Sequence, residues 1–567
     1  MARARSAAAA PPSVRATALL LALALGVVYA LTSAGGFVSL DGKVMYDTTA
    51  AIVDRHTLAL PPHHHGMPGV HGGFYSKYGL AQSLAEIPLY VLGQAIAPHV
   101  AASLGSTLAI ALALLTSSVV TALAALLFFL LAYELTRNPR GAALATLLVG
   151  LASPYWPYAK TDFSEPLSTL ALTGAVLFLV RARTRPKASS YVVSGLFVAL
   201  ALLTKLTALF ALPALGLYAF YVAVDADRAR ARRLLVGCVI VALALAVAVA
   251  FPRLVTQAAA AVAAAALILY ALYVGGAAAR RRLAAWSIPV AAGLAGVGAY
   301  NVARYGRLTD TGYRSIDDLP FRAPLLHGLQ GLLVSPGKGL LWYCPLVFLA
   351  LALWPLLLRR RRAEGLLALG IALPTLVVFG TYPVWWGGHC WGPRYLAPLL
   401  PLLLAPLAFL PEALAQGAGG VWRAVARPAA VALIVLSVAV QALGVGVHVE
   451  RFLGTGFTGV NEQQSLWVVR DSPLLAHAWL LGYDVARTVA PAAAPALLAR
   501  YPWRHPTGTS LSQRLAINHW DYWWWQVLGR HGLGPLQQGM IALLLLAALS
   551  AALWRLRPLY LPSHMPS

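Results

Sequence analysis

Two short stretches of this chain gather acids, bases and aromatic side chains where the surrounding sequence is hydrocarbon-like. The first, Ser39-Leu40-Asp41-Gly42-Lys43-Val44-Met45-Tyr46-Asp47, follows the first apolar segment and carries Asp41 and Asp47. A carboxylate at a bilayer surface is costly to desolvate and usually has a cation, a metal or a proton to handle. The second runs from Pro154 to Pro166 and contains Tyr155, Trp156, Tyr158, Lys160, Asp162 and Glu165. Asp162 and Glu165 are three apart, a spacing that on a helical turn puts both carboxylates on one face. Two acids there can bind a divalent cation or hydroxyl groups, with Lys160 balancing the charge. A solvated loop would explain an isolated Asp41. A helix cap with an acid complementing the dipole would explain one of the later two. Neither explains Lys160 and three aromatic residues in the same turn.

Three cationic stretches add anion-binding chemistry. Lys205 stands alone at a membrane boundary, where snorkelling is the ordinary explanation. Lys338, in Ser335-Pro336-Gly337-Lys338-Gly339, lies among free backbone N–H groups, an arrangement suited to phosphate. It lacks the P-loop spacing, so no nucleotide follows. In Trp385-Trp386-Gly387-Gly388-His389-Cys390-Trp391-Gly392-Pro393-Arg394-Tyr395, Arg394 can grip a phosphate in a fork. Membrane anchoring accounts for the tryptophans but not the glycines. His63, His64, His65 and His71 could ligate metal or merely occupy a loop. The three cysteines have no metal-like spacing.

The elements that must position these residues are membrane helices. The 567 residues are 59% hydrophobic and 11% charged, with mean hydropathy +0.71. Soluble domains carry about a quarter charged residues. The reading is an all-α polytopic membrane protein with about fourteen spans. Their approximate limits are 16–34, 105–133, 141–157, 166–180, 189–204, 206–224, 234–251, 257–276, 284–302, 340–358, 364–381, 396–411, 428–447 and 538–554. Short loops on one side carry 24 of the 43 basic residues and only five acids, Glu134, Asp225, Asp227, Glu364 and Glu412. The positive-inside rule then places both termini in the cytoplasm and the other fourteen acids outside. The net charge of +24 is therefore a topology signal, not a nucleic-acid signal. The long loops, 35–104 and 303–339, and the shorter 382–395 fall outside and complete a membrane module over 1–447. An apolar 80–98 stretch with Glu86 reads as an interfacial helix. Residues 448–537 read as an outer-face segment, with Trp503, Trp520 and Trp523 to Trp525 suited to the headgroup zone or to stacking on sugars. Residues 538–567 supply the last helix and a cytoplasmic tail.

Together these motifs resemble the bacterial polytopic glycosyltransferases of the GT-C superfamily, the class of the protein O-mannosyltransferases and the lipid A aminoarabinose transferase. The resemblance rests on Asp41 with Tyr46, Lys77-Tyr78-Gly79, Tyr158 to Pro166, Tyr305-Gly306 with Thr311-Gly312-Tyr313, Ser335 to Gly339, and Trp386 to Tyr395. It covers roughly residues 16–411. It implies sugar transfer at the outer face of the bacterial inner membrane, from a polyprenyl-phosphate donor to a glycan, lipid or protein acceptor, with inversion. Asp41 is implied as the base or as the organiser of the acceptor. Gly42 stands where the family commonly has a second adjacent acid, so Asp162 or Glu165 would supply that carboxylate. Lys160, Lys205, Lys338, Arg394 and His389 are the candidates for the donor phosphate. Tyr46, Lys77, Tyr158, Tyr313 and Trp386 are the candidates for other substrate contacts. Metal use varies in the superfamily, which leaves a Mg2+ or Mn2+ cofactor open. A lipid-linked sugar flippase would use similar outer charges, but no span carries a mid-membrane charge and no paired broken helices mark two matching halves.

Overall fold

The computed structural model describes residues 12–62, 65–224, 276–313, 323–416, 420–453, 460–503, 511, 515, 520–530, 532 and 535–559. The expected spans 234–251 and 257–276 fall wholly or almost wholly outside them, as do His63 and His64. Helices dominate, and eight among the described residues are long and apolar enough to cross a membrane. They make this a multi-span membrane protein.

The bundle is built around one 35-residue helix. In order come α1 (Val14–Thr32), α2 (Leu40–Arg55), α3 (Leu80–Ile96), α4 (Ala102–Thr136), α5 (Pro139–Leu151), α6 (Tyr155–Lys160), α7 (Glu165–Thr184), α8 (Ala188–Thr204), α9 (Leu212–Val224) and α10 (Gly276–Tyr305). The long α4 packs against α1, α3, α5 and α7, and α8 lies between α7 and α10. Lipid supplies no hydrophobic drive between spans, so close backbone approach through small residues takes its place. Buried Ser117, Ser118, Thr121, Ala124 and Ala125 give α4 such a surface. At Gly93 of α3 an added Cβ would lie 2.8 Å from the Cα of Ala109.

Several expected spans are broken. The 340–358 segment splits into Leu340–Tyr343 and Leu346–Arg360, because Cys344-Pro345 interrupts the hydrogen-bond ladder. The 396–411 segment is a relay of short turns beginning with Arg394–Leu399, punctuated by Pro398, Pro401 and Pro406. The 141–157 segment divides into α5 and α6. The first outer region, expected as a loop, holds α2, α3 and a three-stranded antiparallel sheet in the order Ala59–Leu60, Phe74–Tyr75, Met67–Pro68. Glu86 of α3 is buried against α2, accepting from Thr49 and Gln82, each at 3.0 Å. Burial pushes its carboxyl up to about 8, against those two donors. The helix thus packs on protein with its polar face.

One end of the bundle collects the arginine-rich loops. There Glu134 meets Arg137 and Arg181, Glu364 meets Arg183 at 2.6 Å, and Glu412 meets Arg360 at 2.6 Å. Asp41, Glu165, Lys205 and Arg394 meet at the other end.

Candidate functional site

Asp41 sits in the first turn of α2, not in an open loop. Ser39 caps that helix, its Oγ accepting from the N–H of Gly42 at 2.9 Å. Asp162 holds the entry from below. It accepts from the N–H groups of Val38 and Ser39, at 3.1 and 3.2 Å, and from Ser39 Oγ at 2.9 Å. Burial pushes the Asp162 carboxyl up to about 6, and these three donors oppose the shift. Gly42 lies directly over it, where a Cβ would come 2.1 Å from the Asp162 carboxyl carbon. The glycine noted in place of a second acid is what lets Asp162 approach.

Arg394 organises the charged cluster. Gly387, Gly388 and Gly392 take φ of +74°, +75° and +65°, backbone that side-chain-bearing residues rarely adopt, and so turn the loop that delivers Arg394 inward. Its Nη2 donates to Asp41 Oδ2 at 2.6 Å and its Nε to Glu165 Oε1 at 2.7 Å. The guanidinium lies over the Phe163 ring, 3.9 Å from its centroid. Lys205 Nζ reaches the same Glu165 Oε1 at 2.6 Å. Tyr78 donates its hydroxyl to the other Asp41 oxygen at 2.6 Å. Burial works to raise the Asp41 carboxyl, but Arg394, Tyr78 and Lys205 outweigh it and hold Asp41 below the usual carboxylate range. The Asp41 side chain keeps 25% exposure while that of Glu165 keeps 1%, so only Asp41 is open to a substrate.

Below Lys205 and Glu165 lies a cavity of ≈ 50 Å³, walled by Leu172, Ala208, Ile371, Phe379 and Leu399. Tyr395 closes one side, its ring stacked on Phe379 at 4.1 Å and facing Lys205. Ser168, Thr207 and Thr375 also line the cavity, so the charged pair stands at the mouth of a small, largely apolar hollow.

Other expected site residues are employed elsewhere. Asp162 and Glu165 share no helical face, because α6 ends at Lys160 and α7 begins at Glu165. Lys160 balances neither. It is buried and bonded to Asp521 at 2.5 Å and to the Val445 carbonyl at 2.7 Å. Lys338 is buried with its ammonium on the carbonyls of Gly388 and Cys390, at 2.8 and 2.5 Å, so it braces the glycine loop instead of cradling phosphate. His389 faces Glu450 at 2.9 Å. Tyr158 is buried, donating to the Trp391 carbonyl at 3.2 Å. Tyr46 lies edge-on between Phe37 and Tyr90, and Trp386 edge-on to Trp385. Lys77 lies over the rings of Tyr313 and Tyr78, which places both candidates beside the Asp41 cluster. Tyr78 and Phe163 were not singled out from sequence, though both sit inside the motifs quoted above. Asp41 and Glu165 already face cations and Asp162 faces three donors, a set that does not fit a divalent ion. Among the described residues no other cluster of His, Cys, Asp and Glu has a metal-holding arrangement.

Residues 114–251 match the family model described as dolichyl-phosphate-mannose-protein mannosyltransferase. No curated protein matches the chain. Among solved structures, the oligosaccharyltransferase AglB from Archaeoglobus fulgidus, in complex with an inhibitory peptide and a dolichol-phosphate, is 16% identical with TM-score 0.44. That alignment takes in 88% of this chain but only 61% of AglB, so this chain spans less than two thirds of that protein. ArnT from Cupriavidus metallidurans bound to undecaprenyl phosphate is 15% identical with TM-score 0.43, over 90% of this chain and 77% of ArnT. The apo form of ArnT gives 15%, 0.44, 95% and 76%. The family match over 114–251 lies inside the region, roughly 16–411, whose motifs resemble the GT-C superfamily.

Proposed function

We propose that this protein transfers a sugar from a polyprenyl-phosphate donor to an acceptor hydroxyl at the outer face of the bacterial inner membrane. The observation that carries the reading is the four-charge cluster of Asp41, Arg394, Glu165 and Lys205 over an apolar cavity. Two carboxylates and two cations sum to zero, so the cluster is stable without ligand yet offers two cations to an incoming phosphodiester. The donor phosphate takes a share of Arg394 and Lys205, and Asp41 is loosened from its partner. Asp41, held ionised, then accepts the proton of the acceptor hydroxyl as that oxygen bonds to the anomeric carbon. The bond from the anomeric carbon to phosphate oxygen breaks, and the two cations stabilise the departing lipid phosphate. Attack opposite the leaving group inverts the centre. Glu165 acts as the fixed counter-ion, and Asp162 as the anchor of α2. Residues 1–447 form the catalytic module and 448–537 its outer-face partner.

The test is purified protein in sealed vesicles with radiolabelled undecaprenyl-phosphate sugars and candidate glycan, lipid and peptide acceptors. A new glycosidic bond with release of undecaprenyl phosphate supports the proposal. Movement of intact donor across the bilayer without bond formation would make the protein a flippase instead.

A further inference from the structure

The loop bearing Lys77 and Tyr78 is gripped from behind by an arginine that belongs to none of the motifs above. Arg304, one residue before the end of α10, is 3% exposed. Its Nη1 donates to the carbonyls of Ser76 and Tyr78, two residues apart on the same strand of loop. Its Nη2 donates to Asn301 Oδ1 at 2.8 Å and its Nε to the Tyr300 carbonyl at 3.2 Å. The rings of Tyr300 and Tyr305 lie 3.6 and 4.9 Å from the guanidinium carbon. Tyr305 adds its own hydroxyl to the Ser76 carbonyl at 2.9 Å. The loop is pinned on its other side too: at Gly79 a Cβ would lie 2.3 Å from the Thr204 carbonyl oxygen, one residue before Lys205. It is therefore wedged between the ends of α8 and α10, and from that wedge Tyr78 extends its hydroxyl to Asp41.

A buried guanidinium is an expensive staple, and an aliphatic side chain of similar volume packs such a gap at lower cost. What the guanidinium adds is a rigid planar donor: Nε and Nη2 are fixed on α10 itself, so Nη1 is held in place to fix the two loop carbonyls at once, and with them the direction in which the intervening side chains leave the loop. We propose that Arg304 is a positioning residue that aims Tyr78 at Asp41 and thereby holds the Asp41 carboxylate in its working orientation. The inference rests on the role given above to Asp41, but its geometry requires no substrate. Because the Tyr78 hydroxyl favours the ionised form of Asp41, slackening the loop weakens that preference. A purely structural Arg304 would lower thermal stability and leave Asp41 titrating as before.

The experiment follows the Asp41 carboxylate directly, by infrared difference titration of detergent-solubilised full-length protein, with Asp41→Asn identifying the band. Tyr78→Phe is expected to move the midpoint upward, weakening the ionisation constant about tenfold. Arg304→Met is expected to move it in the same direction, Arg304→Lys by less, and Arg304→Met with Tyr78→Phe no further than Tyr78→Phe alone. A midpoint unchanged in both Arg304 variants, or a double variant equal to the sum of the two, overturns the inference. If Arg304→Met does not fold, Arg304→Lys against Tyr78→Phe makes the same comparison. Failure of the wild type to transfer sugar would remove the proposed function while leaving this titration result intact.

Discussion

Arg394 shows how one side chain can hold two tasks that sequence alone would separate. Its type and glycine-rich approach point to a phosphate grip, and the structure gives its fork to Asp41 and Glu165. The two roles are compatible only if donor and carboxylates share the guanidinium. Arg394→Lys keeps the charge but loses the fork, so undecaprenyl phosphate binding should weaken roughly ten- to hundredfold, about 1.5–3 kcal/mol. Arg394→Ala should also destabilise the fold by about 3–5 kcal/mol, because the buried Glu165 loses one of its two cations. Equilibrium binding and thermal unfolding of both variants separate the effects, and normal binding in both would remove phosphate from Arg394. Asp41→Asn, by contrast, removes the proposed base while freeing Arg394. Turnover should fall about 10²–10⁴-fold with undecaprenyl phosphate binding undiminished. A loss of only a few-fold would return Asp41 to a structural role.

At the scale of elements, the entry to α2 is where the sequence was hardest to read. Asp41, Tyr46 and Asp47 look like polar loop residues, because α2 buries its apolar positions chiefly against α3 and the Ala59–Leu60 strand. That pairing is a long-range fact with no local period. The role of Gly42 depends on a carboxylate 120 residues further along the chain. Gly42→Ala would stabilise an exposed helix by about 1 kcal/mol through propensity. Here the new methyl would displace Asp162, so loss of turnover together with a lowered unfolding temperature is expected. A stabilised, active Gly42→Ala protein would remove Asp162 from its anchoring place. Asp162 also carries a pH signature. With its carboxyl pushed up to about 6, the native state keeps a proton that the unfolded chain releases from about pH 4 upward. Native protein binding more protons than unfolded means that this group's contribution to stability falls as pH rises between those values. Asp41 has the opposite sign: its depressed carboxyl contributes stability that is lost only as pH falls below the ordinary carboxylate range. Buried Glu86, pushed up to about 8, contributes with the same sign, so thermal unfolding from pH 4 to 7 should show a downward component in the wild type that Asp162→Asn reduces, most clearly below pH 6.

At the scale of the whole molecule, composition and arginine placement were enough to read a multi-span protein with its chemistry gathered at one end. They could not show how the last hundred residues join it. The 448–537 segment looked like an appendage because its links to the site are single residues far apart in sequence. In the structure Asp521 meets buried Lys160 at 2.5 Å, and its carbonyl accepts from the Gly35 N–H at 2.8 Å. Trp523 and Trp524 donate their indole N–H groups to the carbonyls of Ala30 and Leu31, each at 2.7 Å, at the end of α1, where the Ser33 N–H makes only a long 3.4 Å contact to Ala30. Lys160 is thus the joint between the segment and the Pro154 to Pro166 stretch that delivers Asp162 and Glu165. Burial pulls the lysine's ammonium toward its neutral form, and Asp521 opposes that loss of charge. Asp521→Leu strands the ammonium and should destabilise the protein by about 3–5 kcal/mol, whereas Lys160→Met with Asp521→Leu should recover most of that loss. Thermal unfolding of the two variants and the pair reads the stability directly. Donor binding tells whether the joint serves the site, because a slackened 154–166 stretch moves Glu165 away from Arg394 and Lys205. If Asp521→Leu unfolds at the wild-type temperature and binds undecaprenyl phosphate equally well, the C-terminal segment is an independent attachment after all.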